Sequence, residues 1–181
     1  GRKVVSSNLA SPTKKTENNM LLKKRGALTI QRIKDLWAHG YIKSDKAFDD
    51  SQIQPASLDL RLSKKCWQIS ASFLPGKNKT VSQKLSILST KEIDIGDEKL
   101  LDKGCIYIVE LQEKLDLPEG LSGMANAKSS TGRLDILTRL ITDNSNCFDR
   151  ISAGYKGKIY VEIAPISFSI IIKSGITLNQ L

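Results

Sequence analysis

Apolar residues along this chain follow two periods. Near the start, Ile30, Ile33, Leu36 and Trp37 fall on one face of a helix, with Thr29 where an N-cap belongs and Gly40 where a helix ends. From Gln54 to Leu62 the period shortens to two. Leu58, Leu60 and Leu62 alternate with Asp59 and Arg61, which predicts a half-buried strand with Asp59 and Arg61 on its polar face. Cys66–Ile69 and Leu85–Leu88 are short apolar runs on either side of the turn-rich Pro75–Asn78, and both are read as strands without chemistry. After Gly104 the run CIYIVELQ is strongly β-branched, and Leu117-Pro118-Glu119-Gly120 closes it with turn residues. Lys158–Ile163 and Phe168–Ile172 predict a further strand pair joined through Pro165. Frequent short strands, one leading helix and no β-α-β alternation predict a mainly β fold, an antiparallel sandwich or closed sheet.

The 181 residues suffice for one sizeable core, and 40% hydrophobic with 26% charged residues is a globular composition. The formal net charge of +9 at first suggests a nucleic-acid partner. Its distribution weakens that inference: within residues 1–25, seven cations (Arg2, Lys3, Lys14, Lys15, Lys23, Lys24, Arg25) against Glu17 carry +6, which leaves a body of +3. Residues 1–28 are therefore expected to be a basic, solvated tail and residues 29–181 the folded domain. No apolar run long enough for a membrane span occurs, and no apolar stretch follows the leading cations as in a secretory signal. A cytoplasmic location without membrane or nucleic-acid partners is the expectation.

Cys66, Cys105 and Cys147 are odd in number and far apart, the pattern of reduced thiols. His39 is the single histidine and there is no C-x-x-C pair, so a zinc site lacks its ligands; the H-x-E and P-C-x-x-C elements of zinc-dependent deaminases are both missing. Neither a G-x-x-x-x-G-K-[ST] loop nor a G-x-S-x-G elbow occurs. His39 itself falls in the last turn of the predicted helix, where it suits the dipole better than catalysis.

Two stretches could carry chemistry. In NAKSSTGRLDILTR, residues 126–139, Lys128, Ser129, Ser130, Thr131 and Arg133 crowd hydroxyls and cations into six positions. If Ser129 or Ser130 begins a helical turn, the turn can receive an anion such as a phosphate; the same composition also describes a capped surface turn. In KIYVEIAP, Ile159, Val161 and Ile163 point one way while Tyr160 and Glu162 point the other. A Glu162 facing a pocket would be a candidate general acid/base, and one facing water an ordinary strand residue. Between them lies Arg150–Gly157, a glycine-punctuated turn whose Tyr155 would either stack on a sugar or cover the core.

Four stretches in order, QPASLDLRLS at 54–63, KSSTGRL at 128–134, RISAGYKGKIYVEI at 150–163 and SGITLNQL at 174–181, resemble deoxycytidine triphosphate (dCTP) deaminases of the deoxyuridine triphosphatase (dUTPase)-like superfamily. The resemblance covers about residues 29–181. KSSTGRLDILTR is especially similar to a long-chain bacterial branch in which two related halves are fused, so this chain is expected to be an N-terminal half. The resemblance implies a dUTPase-like β-clip, a distorted antiparallel sandwich or barrel with a short N-terminal helix. It implies hydrolysis of dCTP to dUTP and ammonia without zinc, on a triphosphate complexed with Mg2+, at sites formed within a homotrimer or a pseudo-symmetric fused assembly. Glu162 matches the catalytic glutamate that takes a proton from water, Ser129 the serine that positions that water, and Arg133 the supporting arginine. Lys128 and Ser130 match phosphate-side positions, Lys128 replacing an arginine and so losing its bidentate fork. Tyr155 matches the aromatic beside deoxyribose.

The chain departs from the family pattern in two places. Ser152 stands where the I-D-x-x-[YW]-x-G element has aspartate, with Asp149 three positions earlier the nearest preceding carboxylate. The sequence also stops at Leu181, before the arm that closes over the nucleotide in relatives. Alternatives are therefore a dUTP diphosphatase or bifunctional enzyme, against which Ser152 counts, and a catalytically silent half that binds nucleotide or stabilises the assembly.

Overall fold

Two strongly apolar stretches, CIYIVELQ and KIYVEIAP, lie side by side at the centre of the computed structural model, which describes residues 26–181. Residues 1–25 of the expected tail lie outside the described part. In chain order the elements are α1 (Ile30–Ala38), β1 (Ile42–Ser44), a 3-10 turn (Asp50–Gln52), β2 (Ile53–Gln54), β3 (Ser57–Ile69), α2 (Val81–Leu88), β4 (Ser89–Asp94), β5 (Lys99–Leu101) and β6 (Ile106–Asp116). Then come β7 (Gly123–Met124), β8 (Asn126–Ala127), α3 (Ser129–Arg133), β9 (Ile136–Thr142), β10 (Arg150–Ile151), β11 (Lys156–Pro165), β12 (Ile170–Ile172) and β13 (Thr177–Gln180).

The main sheet runs β8-β13-β3-β6-β11-β9, every pairing antiparallel, with β1 added to β6 and β2 and β4 added to β3. β8 at one end of this order lies against β9 at the other, so the sheet is a nearly closed barrel of the dUTPase-like type, with few free edges. β3 makes the corner: residues 59–61 pair with β13, a register shift follows between Leu62 and Cys66, and residues 65–69 pair with β4. The main core gathers Leu58, Leu60, Leu62, Val109, Leu111, Ile159, Val161 and Ile163. A smaller core of Ile69, Phe73, Val81, Leu85, Ile108, Ile141 and Tyr160 lies on the other face of β6 and β11, under α2.

The leading helix forms as the apolar period predicts, with Ile33 and Leu36 buried and Gly40 at φ 73° just beyond its end. Ile30, 43% exposed, does not share the inward face, and His39 caps the helix with Nδ1 2.7 Å from the Asp35 carbonyl. Three expectations are corrected. Leu85–Leu88 belongs to a helix, because Thr80 and Gln83 form a reciprocal capping box (2.9 and 3.1 Å) and Val81 and Leu85 bury one turn apart. Ile170–Ile172 is a strand, but it pairs with β5 and not with β11, whose two edges are already taken by β6 and β9. Asp59 and Arg61 are not on a solvated face, for both are buried.

The burial of Asp59 and Arg61 follows from what covers them. The segment from Ser44 to Gln52 folds over the second face of β3 and satisfies the groups it covers. Arg61 donates Nε to Glu113 Oε1 (2.8 Å), Nη1 to the Ala47 carbonyl (2.9 Å) and Nη2 to Ser44 Oγ (3.1 Å). The Arg61 backbone N–H donates to Glu113 Oε2 (2.8 Å), and Gln52 Nε2 donates to Glu113 Oε1 and to the Asp59 carbonyl, both at 3.0 Å. Among the described residues no helix is long and apolar enough to cross a membrane.

Arg61→Met, which leaves the fully buried Glu113 carboxylate without its cation, is expected to cost about 3–5 kcal/mol. A urea midpoint that falls with an unchanged slope would show it.

Candidate active site

The KSSTGR stretch forms the expected helical turn. α3 runs Ser129–Arg133 and follows β8 directly, and the first helical bond runs from the Gly132 N–H to the Lys128 carbonyl (3.0 Å). Thr131 is buried and donates Oγ1 to the Leu178 carbonyl (2.9 Å), which fastens the turn to β13. Ser129, Ser130 and Arg133 are exposed, and among the described residues their side chains make no hydrogen bond or ion pair. Lys128 behaves differently. Its ammonium turns inward, pairs with the Asp59 carboxylate and donates to Thr177 Oγ1 (2.9 Å). QPASLDLRLS, KSSTGRL and SGITLNQL, distant in sequence, thus meet where β3, β8 and β13 pair. Asp59 Oδ1 and Asn179 Oδ1 lie buried beside this junction without a hydrogen-bond partner among the described residues.

Glu162 lies on β11, on the side of the smaller core, as the alternation with Ile159, Val161 and Ile163 predicts. It is 1% exposed and fully engaged within its own chain. Arg139, directly opposite it on β9, donates Nε (3.0 Å) and Nη2 (2.5 Å) to Oε1. Ser72 Oγ donates to Oε2 (2.6 Å) and accepts from Arg139 Nη2 (2.9 Å). The Arg139 guanidinium carbon sits 4.0 Å from the centre of the Phe148 ring, a cation–π contact. Sequence reasoning assigned no role to Arg139 or Ser72. Arg139 stood inside the quoted 126–139 stretch, but only the β9–β11 register sets it against Glu162; Ser72 lies in a segment whose spacing carries no motif.

The turn before β11 serves structure. Tyr155 packs on the main core, donates its hydroxyl to the Lys158 carbonyl and accepts from the Asp143 N–H (3.3 Å). A Cβ on Gly157 would stand 2.8 Å from that hydroxyl, so glycine is required there. Of the two sequence readings of Tyr155, the geometry matches the core cover. Burial pushes its phenol up to about 12. Ser152 is exposed and its carbonyl accepts from the Tyr155 N–H (3.1 Å). Asp149 turns to the backbone: its Oδ1 accepts from the Leu140 N–H (2.7 Å), and burial raises its pKa. Among the described residues no hydrogen bond or ion pair joins Ser129, Ser130 or Arg133 to Glu162.

Because the folded pKa of Tyr155 exceeds the ordinary value of 10.0, its contribution to stability is complete below pH 10 and is lost as pH rises towards about 12. Tyr155→Phe is therefore expected to flatten the alkaline limb of a plot of unfolding midpoint against pH from 9 to 12. Lys128→Met, which strips Asp59 of its cation, is expected to lower stability by about 1–3 kcal/mol in the same measurement at pH 7.

Residues 24–181 match the model of the 2'-deoxycytidine 5'-triphosphate deaminase (DCD) N-terminal domain. A dCTP deaminase of Halorubrum lacusprofundi is 26% identical over 134 residues, 73% of this chain and 63% of that protein. A dUMP-forming dCTP deaminase of Streptomyces coelicolor is 30% identical over 146 residues, 79% of this chain and 71% of that one. The crystal structure of the 2'-deoxycytidine 5'-triphosphate deaminase from Agrobacterium tumefaciens superposes with a TM-score of 0.83 at 48% identity, covering 86% of this chain and 46% of that chain. This chain thus spans less than half of the Agrobacterium protein and under two thirds of the Halorubrum one. Family model, relatives and superposed fold agree on nearly the whole described domain, and the chain belongs to the dCTP deaminase N-terminal domain family.

Proposed function

We propose that this domain takes part in the hydrolytic deamination of dCTP, with Glu162 as the base that takes a proton from water and passes it to the pyrimidine as water attacks C4 and ammonia leaves. The observation that carries this reading is the buried Glu162 carboxylate, held at both oxygens by Arg139 and Ser72; by the resemblance, Glu162 matches the family's glutamate. A base fixed in this way loses little entropy at the moment of proton transfer.

The exposed Ser129, Ser130 and Arg133 form the nucleotide side, Ser129 and Arg133 supporting the water. Mg2+ belongs with the triphosphate. Two hydroxyls and a guanidinium suit phosphate oxygens, whereas they do not suit the ion itself, so the protein's part is to receive the complexed phosphates. Lys128, paired with Asp59, contributes charge from behind the turn. Ser152 takes the sugar side of the same reading, whereas Tyr155, given that place by the resemblance, covers the core.

Ser129, Ser130 and Arg133 make no bond to Glu162 within one chain, and in this reading a complete site draws its second wall from another copy or from a fused second half, in a trimer or its pseudo-symmetric equivalent. Leu134, Leu137, Ile166 and Phe168, large apolar residues left exposed close to α3, support such an interface.

Relatives named as dUMP-forming favour a second reading, in which deamination is followed by release of pyrophosphate; Ser152, in place of a carboxylate able to activate water, counts against it. Supplied with dCTP and Mg2+, the full-length protein is expected to release ammonia and dUTP. Pyrophosphate and dUMP in the chromatogram would shift the reading to the bifunctional enzyme. Glu162→Gln is expected to lower turnover by about 10²–10⁴-fold, and Ser129→Ala and Arg133→Ala to lose most of it. Unchanged ammonia release by Glu162→Gln would remove Glu162 from the mechanism, and dCTP binding in a calorimeter without turnover would favour the silent half.

A further inference from the structure

The two oxygens of Glu162 are held in different ways. Oε1 takes both Nε and Nη2 of Arg139, a forked, charge-assisted contact. That fork is itself fixed, by the β9–β11 register that sets Arg139 opposite Glu162 and by the Phe148 ring against the guanidinium. Oε2 takes a single hydroxyl, Ser72 Oγ–H, at 2.6 Å.

Ser72 Oγ accepts from a guanidinium and donates to a carboxylate. A water molecule about to surrender its proton to Glu162 needs the same two contacts, a donor that steadies the developing hydroxide and an acceptor for its proton. The hydroxyl therefore occupies the place where that water would sit. Ser72 is exposed while Glu162 is buried, so Ser72 stands between Oε2 and solvent. It belongs to the segment that joins β3 to α2, a stretch without regular secondary structure. Phe73 anchors this segment in the smaller core, and two backbone bonds to the loop after β9 hold its far end: Gly76 N–H to the Ser145 carbonyl (3.0 Å) and Asn144 N–H to the Lys79 carbonyl (2.9 Å).

We propose that Arg139 is a positioning residue that orients Glu162 through Oε1, and that Ser72 keeps the attacking water's place on Oε2 until the nucleotide displaces it. The proposal rests on Glu162 being the base. It divides the carboxylate into an anchored oxygen and a working one. Arg139→Lys keeps the charge and removes the fork.

Two measurements on the full-length protein test this. In steady-state kinetics with dCTP and Mg2+, Arg139→Lys is expected to lower kcat by about 10²-fold with KM within about twofold, since it disturbs orientation and not nucleotide contact. An unchanged kcat, or a loss confined to KM, would overturn the role of Arg139. In the second, a carbodiimide couples glycine ethyl ester to accessible carboxylates and mass spectrometry reads the label on Glu162. Ser72→Ala is expected to speed labelling by about tenfold and to raise kcat/KM, because the occupant of Oε2 is gone. Equal labelling of wild type and Ser72→Ala, or a fall in kcat/KM, would overturn the role of Ser72. Labelling needs no turnover. A wild type that releases no ammonia while Ser72→Ala still labels faster would therefore overturn the deaminase reading, and Arg139's role with it, but leave the Ser72 cover standing.

Discussion

A carboxylate buried in a sheet that is covered on both faces must be given a cation, and this requirement organises the molecule. β3, β6 and β11 carry four such groups: Asp59, Glu113, Glu110 and Glu162. Each has its own partner, Lys128, Arg61, Lys158 and Arg139 in turn. Withdrawing an ion from water costs several kcal/mol, and attraction to one partner rarely recovers it without further hydrogen bonds. The chain supplies them through Gln52, Ser44 and the Ala47 carbonyl around the Arg61–Glu113 pair, and through Ser72 at Glu162. The loops that look like connections along the sequence are placed where they cover charge.

The Glu162 pair differs from the Arg61–Glu113 pair in what covers it. Glu113 is fully buried under the folded-over segment, where Gln52 donates to it and Ser44 and the Ala47 carbonyl hold its partner Arg61. Glu162 is separated from solvent by one exposed serine and by a guanidinium that is itself part-exposed. The same electrostatic rule thus yields a structural lock in one place and, on the reading proposed above, a base held ready in the other. Lys128 sits between these cases: its charge is spent on Asp59, yet it holds the turn that carries Ser129, Ser130 and Arg133 outward.

Much of the fold was legible because its signals are local. The leading helix, the β-branched strand after Gly104, the alternation around Glu162 and the helical turn in KSSTGR all depend on neighbours within a few residues. The Thr80–Gln83 capping box is equally local, but the three apolar residues of Leu85–Leu88 (Leu85, Ile87 and Leu88) match a strand as well as a helix turn. The buried faces of Asp59 and Arg61 were not legible, since period two reports which side a residue faces and says nothing about what covers that side. The partner of β12 was hidden for a similar reason, because strand pairing is decided by which edges remain free once the central strands are matched.

Sequence by itself determined the β-rich class, the two chemical stretches and the family resemblance, because residue type and spacing are written along the chain. Tertiary structure alone decided that Lys128 faces Asp59, that Arg139 faces Glu162 and that Ser72 lies over it, since these contacts join residues 69, 23 and 90 positions apart. Contacts of that separation arise from strand register and from loops folding back on the sheet. Electrostatics then selects, among the groups brought together, which charge each buried carboxylate keeps.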